Sequence, residues 1–228
     1  MAGLLLFAPA CATTPAQSED APKAIPVGAL TPVPEGEGWI NLLDDEHKDG
    51  WQTIPTEYDM FDITDGILHI YPDMPRPMRY AGYMAERFGD FDLHVEFKVA
   101  PNANSGIFVR MQPGEQDRRG FEIQVQDDYG KPINTSICGA IYDVVSPMYN
   151  MCFPAGEWNS LDISVHGGDV EVVMNGWLII KADLNQMTEP LGKYKTPFAE
   201  LPQEGVLAIQ NHYTEAWYRN MMIRPVRE

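Results

Sequence analysis

The sequence predicts an all-β protein, an antiparallel two-sheet sandwich. Two observations carry this. From about residue 38 onward, apolar and polar residues alternate in short runs that Gly, Pro, Asn and Asp separate, the pattern of strands with one buried face. Helical periodicity is almost absent, and residues 183–187 offer at most one short turn. Size agrees: 228 residues, 44% hydrophobic and 11% aromatic, supply one sizeable core, and sandwiches of roughly 200 residues commonly fold as one domain.

The first ten residues, MAGLLLFAPA, are apolar and end in small residues immediately before Cys11. They read as the remnant of a secretion signal, too short to span a bilayer, which takes about 20 apolar residues. Ala10 followed by cysteine is similar to a bacterial lipoprotein cleavage site, with Cys11 as the lipidated residue of segment 1–11. Residues 12–37 are rich in Pro, Ala, Thr, Ser and Glu with little periodic apolar content, and are expected to be a disordered tether. The folded domain is expected over 38–228, opening where Trp39, Ile40, Leu42 and Leu43 appear.

Within it, strands are expected at 67–71, 91–100, 106–111, 121–126, 160–166, 169–174, 177–182 and 206–211. Asn175-Gly176 joins two of these runs, and both residues tolerate positive φ, so a tight hairpin is expected there. Pro72, Pro75 and Pro77 mark one long loop, and 189–202 another. Cys138 and Cys152 could close a disulfide in an exported compartment or remain two buried thiols; the sequence leaves both readings open.

Sixteen basic residues against 33 acidic ones give a formal charge of −17, spread without a single acidic run. Such a field repels phosphate backbones, so nucleic acid is not an expected partner.

Residues two apart on a strand share a face. Phe121, Ile123 and Val125 therefore oppose Glu122, Gln124 and Gln126; Ser105, Ile107 and Val109 oppose Gly106, Phe108 and Arg110; Leu93, Val95 and Phe97 oppose His94, Glu96 and Lys98; Leu207 and Ile209 oppose Ala208, Gln210 and His212. Outward polar residues on antiparallel strands ordinarily meet water. The outward set here is rich in amides, carboxylates, an arginine and a histidine, the planar groups that pair with sugar hydroxyls. Alternation alone leaves solvation and a ligand face both open.

Motifs shift the balance toward a ligand face. Asn104-Ser105-Gly106-Ile107-Phe108-Val109-Arg110, Gly120-Phe121-Glu122-Ile123-Gln124-Val125, Gly139-Ala140-Ile141-Tyr142 and Pro154-Ala155-Gly156-Glu157-Trp158-Asn159 follow in order, after Gly38-Trp39-Ile40-Asn41-Leu42-Leu43 and before Gln210-Asn211-His212. Over about residues 38–226 the chain resembles the 3-keto-disaccharide hydrolase family, bacterial proteins with a concanavalin-A-like jelly roll. Cys138 stands where that family commonly has a threonine, and no glycine follows His212.

The resemblance implies a glycoside already oxidised to a ketone at carbon 3. That ketone acidifies the carbon-2 proton, so a base can remove it and the enolate can expel the glycosidic oxygen from carbon 1. Such a route needs a base and an oxyanion stabiliser, not the paired carboxylates of conventional glycosidases. It implies Glu122 as base or metal ligand and His212 as its partner acid, base or ligand. Arg110 and Gln124 would hold substrate hydroxyls or the developing oxyanion, and Gln210 would join them in binding substrate. Asp127 and Tyr129 would lie at the rim, with Tyr129 stacking on a sugar. No cofactor is demanded; a divalent metal would suit the enolate, with His94 and Glu96 as further candidate ligands beside Glu122 and His212. The expected location is periplasmic or outer-membrane-anchored, downstream of a sugar-oxidising enzyme. A lectin-like module that binds glycans without cleaving them is the alternative, because this fold serves both uses.

Overall fold

The computed structural model describes residues 28–55, 58–72, 78–114 and 120–226. Cys11 and the apolar start lie outside the described residues. The strands are β1 (Ile40–Asn41), β2 (Trp51–Ile54), β3 (Phe61–Thr64), β4 (Ile67–Ile70), β5 (Arg79–Tyr83), β6 (Phe91–Val99) and β7 (Asn104–Met111). After them come β8 (Phe121–Gln126), β9 (Asn159–His166), β10 (Asp169–Met174), β11 (Trp177–Asp183), β12 (Val206–Asn211) and β13 (Ala216–Pro225). Eight of them form one sheet in the order β11-β10-β9-β6-β13-β4-β3, with β1 on β13. The other five form a second sheet, β2-β5-β12-β7-β8. All pairings are antiparallel, and the expected two-sheet sandwich is what the chain adopts.

The alternation in the sequence explains the stacking. From the larger sheet Phe91, Leu93, Val95, Phe97 and Val99 point inward, and from the smaller one Ile107, Val109, Phe121, Ile123 and Val125 meet them, all at most 2% exposed. Burying each such side chain stabilises the fold by roughly 1.5–3 kcal/mol. One polar link crosses this core: the Ser105 hydroxyl lies 2.6 Å from the Tyr218 hydroxyl and donates to the Gln210 carbonyl at 2.7 Å. It satisfies the buried tyrosine and ties β7 to both β12 and β13.

All eight expected strands form. The Asn175-Gly176 hairpin is present between β10 and β11, with φ of 49° and 81°. Residues Leu184–Gln186 make a 3₁₀ turn that the Asp183 side chain caps by accepting from the Asn185 backbone N–H. Strand β13, the longest, escaped the alternation rule for a physical reason. Asn220 has φ of 49° and the register with β6 slips between Arg219 and Met222. The extra residue makes Tyr218 and Met221 both core-facing, three positions apart, so the period of two breaks mid-strand.

The expected tether through residue 37 is corrected at its C-terminal end. The Ala29 N–H donates to the Asn175 carbonyl at 3.0 Å, and the Thr31 N–H and hydroxyl reach the Ser160 hydroxyl at 2.9 and 3.0 Å. A low-complexity composition hid this because the strap is held through its backbone and one hydroxyl, which leave no apolar periodicity. Cys138 and Cys152 are free, buried thiols; the neighbouring Cys138 sulfur, then burial, holds the Cys152 thiol well above its ordinary range.

Candidate active site

Glu122 projects from β8 on the side away from the core, and only 2% of the residue is exposed. The facing strand makes room for it. Phe108 is directly opposite Glu122, and Gly106 is opposite Gln124. A Cβ added at Gly106 would sit 2.3 Å from Glu122 Oε1, so the carboxyl lies over the bare glycine backbone. From there it reaches Gln210 of β12, which is a hydrogen-bond partner. Burial penalises the ionised form and raises the Glu122 pKa from 4.5 to about 7, against the opposing pull of Lys193 and Gln210. An acid held near neutrality can take up or release a proton under physiological conditions.

Lys193 supplies the nearest charge, its Nζ 3.6 Å from Glu122 Oε2. The separation is that of an ion pair, longer than a hydrogen bond. Two contacts place this lysine. Its ammonium stands 3.9 Å from the centre of the Tyr142 ring, a cation–π arrangement, and its backbone N–H donates to Asp143 Oδ2 at 2.6 Å. Tyr142 is in turn fixed to β8, because its N–H donates to the Glu122 carbonyl at 2.9 Å. The turn that carries the ring and the carboxylate is thus anchored to the strand that carries the acid.

Beside Glu122 the outward face is apolar. Tyr80 and Phe108 meet edge to face with ring centres 5.0 Å apart, and they pack with Met111, Val206 and Ala208. The register places Tyr80 opposite Gln210 and Phe108 opposite both Ala208 and Glu122. The pair is itself buried, at 3% and 9% exposure, and aromatic rings beside hydrogen-bonding groups are the chemistry on which the C–H face of a sugar ring packs.

On the other side of Glu122 runs a ladder of side-chain hydrogen bonds with a fixed direction. It starts at Asp128, a buried carboxylate that accepts from the Cys138 N–H at 2.9 Å and pairs with Lys131 at 2.9 Å. A carboxylate only accepts, so the Gln126 amide turns its NH₂ toward Asp128 at 3.2 Å. That leaves the Gln126 oxygen to accept from Gln124 Nε2 at 3.0 Å, which also faces Asn104 Oδ1 at 3.4 Å. Gln124 Oε1 ends the ladder buried and without a partner among the described residues. Gln124 therefore offers an acceptor: it can take a sugar hydroxyl, and it has no donor left for an oxyanion. The double role expected of it is corrected to the single one.

Arg110 is not at this site. It has φ of 52°, and the register between β7 and β12 shifts beside it, so the alternation that grouped it with Phe108 fails at a bulge. Its guanidinium donates to the carbonyls of Gly89 and Gly167, to Gln203 Oε1 and to Asp90 Oδ1, at 2.9–3.2 Å. It ties the end of β7 to the turn between β9 and β10 in the opposite sheet. Asp127 is likewise occupied, accepting from the Asn102 N–H at 2.8 Å, whereas Tyr129 is 60% exposed.

The expected ligand group also comes apart. His94 and Glu96 belong to β6, in the other sheet, on its outward side. His94 Nδ1 meets Asp162 at 2.6 Å, and Glu96 receives Arg219 Nε at 2.6 Å and Asn220 Nδ2 at 3.0 Å. Alternation says which side of a strand a residue takes and nothing of which sheet the strand joins. His212 lies just past the end of β12 with its ring 5.6 Å from that of Tyr213, and the described contacts of Glu122 do not include it. The four residues therefore do not fit a shared metal, and among the described residues no cluster of three His, Cys, Asp or Glu side chains does.

Comparison with known proteins agrees with this architecture. The model of the 3-keto-alpha-glucoside-1,2-lyase-like domain matches residues 38–224. A 3-keto-disaccharide hydrolase of Bacteroides thetaiotaomicron is 23% identical over 89% of this chain and 83% of its own length. Two proteins of Parabacteroides distasonis provisionally described as glycosyl hydrolases have similar crystal structures. One superposes with a TM-score of 0.69 at 25% identity, over 82% of this chain and 99% of that one. The other gives 0.71 at 21% identity, over 84% and 95%. A carbohydrate-binding module of Bacillus subtilis shares the fold at 13% identity and a TM-score of 0.52, over 77% and 95%.

Proposed function

Since the chain belongs to the 3-keto-alpha-glucoside-1,2-lyase-like domain family, we propose that it cleaves the glycosidic bond of 3-keto-glycosides, with Glu122 as the base that removes the carbon-2 proton. The observation that carries this reading is the buried Glu122 carboxyl held at a pKa of about 7 beside an aromatic floor. A base of that strength is half ionised at neutral pH and still strong enough to abstract a proton that a ketone has acidified.

The steps balance with one water. Glu122 takes the proton from carbon 2, and the C–H electron pair forms the carbon 2–carbon 3 double bond while the carbonyl pair moves onto the carbon-3 oxygen. When that oxygen pair returns, the double bond shifts between carbons 1 and 2 and the bond from carbon 1 to the leaving oxygen breaks. The leaving oxygen takes a proton from water, the hydroxide left behind adds at carbon 1, and Glu122, whose carboxyl proton has exchanged with solvent, delivers a proton to carbon 2. The residues Tyr80 and Phe108 would carry the ring, Gln124 would accept a hydroxyl and Gln210 would keep the Glu122 carboxyl in place. Release of the enone before water adds would make the same site a lyase.

With this reading go export of the chain, lipidation at Cys11 and a separate oxidising enzyme that supplies the ketone. Incubation of the purified protein with a 3-keto-disaccharide in deuterated water tests the central step. The expected result is release of both sugars and deuterium at carbon 2, with both lost in Glu122→Gln. Binding with no cleavage and no exchange would instead make the protein a glycan-binding module, and equal cleavage of unoxidised disaccharides would remove the carbon-acid route.

A further inference from the structure

Abstraction of the carbon-2 proton puts negative charge on the carbon-3 oxygen, and a site that accelerates this step must hold that charge as it forms. Two of the groups expected to do so are spent. Arg110 gives its N–H groups to Gly89, Gly167, Gln203 and Asp90, and Gln124 gives its NH₂ to Gln126 and Asn104. Lys193 is placed differently. Its side chain is 51% exposed, so the residue is not enclosed by the protein as Arg110 and Gln124 are. Its other contacts are a weakly held carboxyl at 3.6 Å and an aromatic face.

The segment around it is built for position. Gly192 has φ of 53°, and a Cβ there would lie 2.3 Å from the Asp143 carbonyl oxygen. Only a glycine lets the loop come this close to the 142–143 turn. Asp143 then holds the Lys193 backbone, which leaves the side chain to extend across the Tyr142 ring toward Glu122. The charged and titratable groups around the ammonium are Glu122 on β8, Tyr142 and Asp143 on the turn, and Tyr194, whose ring centre is 5.6 Å away.

We propose that Lys193 is a catalytic residue: in the complex its ammonium leaves Glu122 for the carbon-3 oxygen of the substrate and stabilises the enolate that Glu122 creates. This rests on the activity proposed above. The exchange of partners has a chemical logic. Lys193 favours the ionised, basic form of Glu122 in the free protein, and once Glu122 is protonated the ammonium's negative partner is the new oxyanion, so one lysine serves both charges in turn. Asp143 is its positioning residue, acting through the Lys193 backbone.

The test is the pH profile of turnover for Lys193→Met, measured with Glu122→Gln alongside. If Lys193 stabilises the enolate, the pH-independent plateau of kcat falls by about 10²–10³-fold, KM changes far less, and the acidic limb moves to higher pH because the cation opposing burial is gone. Lys193→Arg, which keeps the charge, recovers at least about tenfold of the plateau. A lysine that only tunes Glu122 would move the limb and leave the plateau within about twofold, and that result overturns the proposal. Thermal melting of both variants should stay close to wild type, since the side chain is half in solvent. Failure of the underlying reading shows elsewhere, as turnover retained by Glu122→Gln; absence of wild-type turnover on any 3-keto-glycoside removes the activity and this inference together.

Discussion

Glu96 and Glu122 look alike in the sequence and differ in what the fold does with them. Each is a carboxylate on the outward side of a strand, flanked two residues away by a polar neighbour, and each is buried, at 4% and 2% exposure. Glu96 has a hydrogen-bonded partner on each oxygen, Arg219 and Asn220. Around it Lys98 stands 5.1 and 4.5 Å from the Trp158 and Trp217 rings, and the Arg219 guanidinium 4.1 Å from Trp158. That face is a set of charges already matched, with His94 Nε2 its unpartnered atom among the described residues. Glu122 has an ammonium at 3.6 Å and an amide, too little to offset its burial. Matched buried charge reads as structure; a buried acid left short of partners reads as chemistry.

The largest test of this contrast is the pair of neutral variants. Glu122→Gln should lower kcat by at least about 10²–10⁴-fold, the contribution of a positioned base, while the protein remains folded. Glu96→Gln should leave kcat within about twofold and lower the melting temperature by several degrees, because Arg219 loses its anionic partner inside the sheet face. Equal effects of the two substitutions on turnover would erase the distinction.

Gly106→Ala sharpens it from the neighbouring strand. A methyl group 2.3 Å from Glu122 Oε1 must displace the carboxyl from Gln210, so turnover should fall by about 10²-fold from misplacement alone, with correct folding verified by circular dichroism. Arg110→Ala should act in the opposite way. Removing the guanidinium takes the donor from the Gly89 and Gly167 carbonyls and leaves Asp90 Oδ1 with the Gly167 N–H but no cation, at a cost of about 2–4 kcal/mol in denaturant unfolding, while kcat of the folded fraction is unchanged.

The smallest expected effect lies in stability against pH. Between pH 4.5 and about 7 the folded protein keeps a proton on Glu122 that the unfolded chain has lost. Stability therefore falls as pH rises through that window, by up to about 3 kcal/mol, and the loss is complete above the folded pKa. Glu122→Gln should abolish this contribution and be more stable than wild type at pH 8.

The strands that carry the site were legible because β7, β8 and β12 keep a period of two over the stretch that matters. That period put Glu122, Gln124 and Gln210 on outward sides, where the structure has them. It failed wherever the backbone departs from it. Arg110 and Asn220 sit at bulges with positive φ, so neither the Arg110 anchor nor the path of β13 could be read from alternation. His94 and Glu96 failed for a different reason, since sheet membership is a matter of long-range pairing. Lys193 was invisible because it comes from an irregular loop 71 positions beyond Glu122, brought there by Asp143 and Tyr142. Its signal, a lysine just after a glycine, is too common to single out. The hydrogen-bond direction that makes Gln124 an acceptor depends on Asp128, and only coordinates connect the three side chains.

The central claim is that Glu122, unlike a surface or paired carboxylate, holds its proton up to neutrality. Carbon-13 NMR of protein labelled at the glutamate carboxyl carbons, with the Glu122 signal assigned by its absence from Glu122→Gln, measures this in one titration. A midpoint near 7 is the result expected of a buried base; a midpoint near 4.5, the ordinary glutamate value, would contradict it.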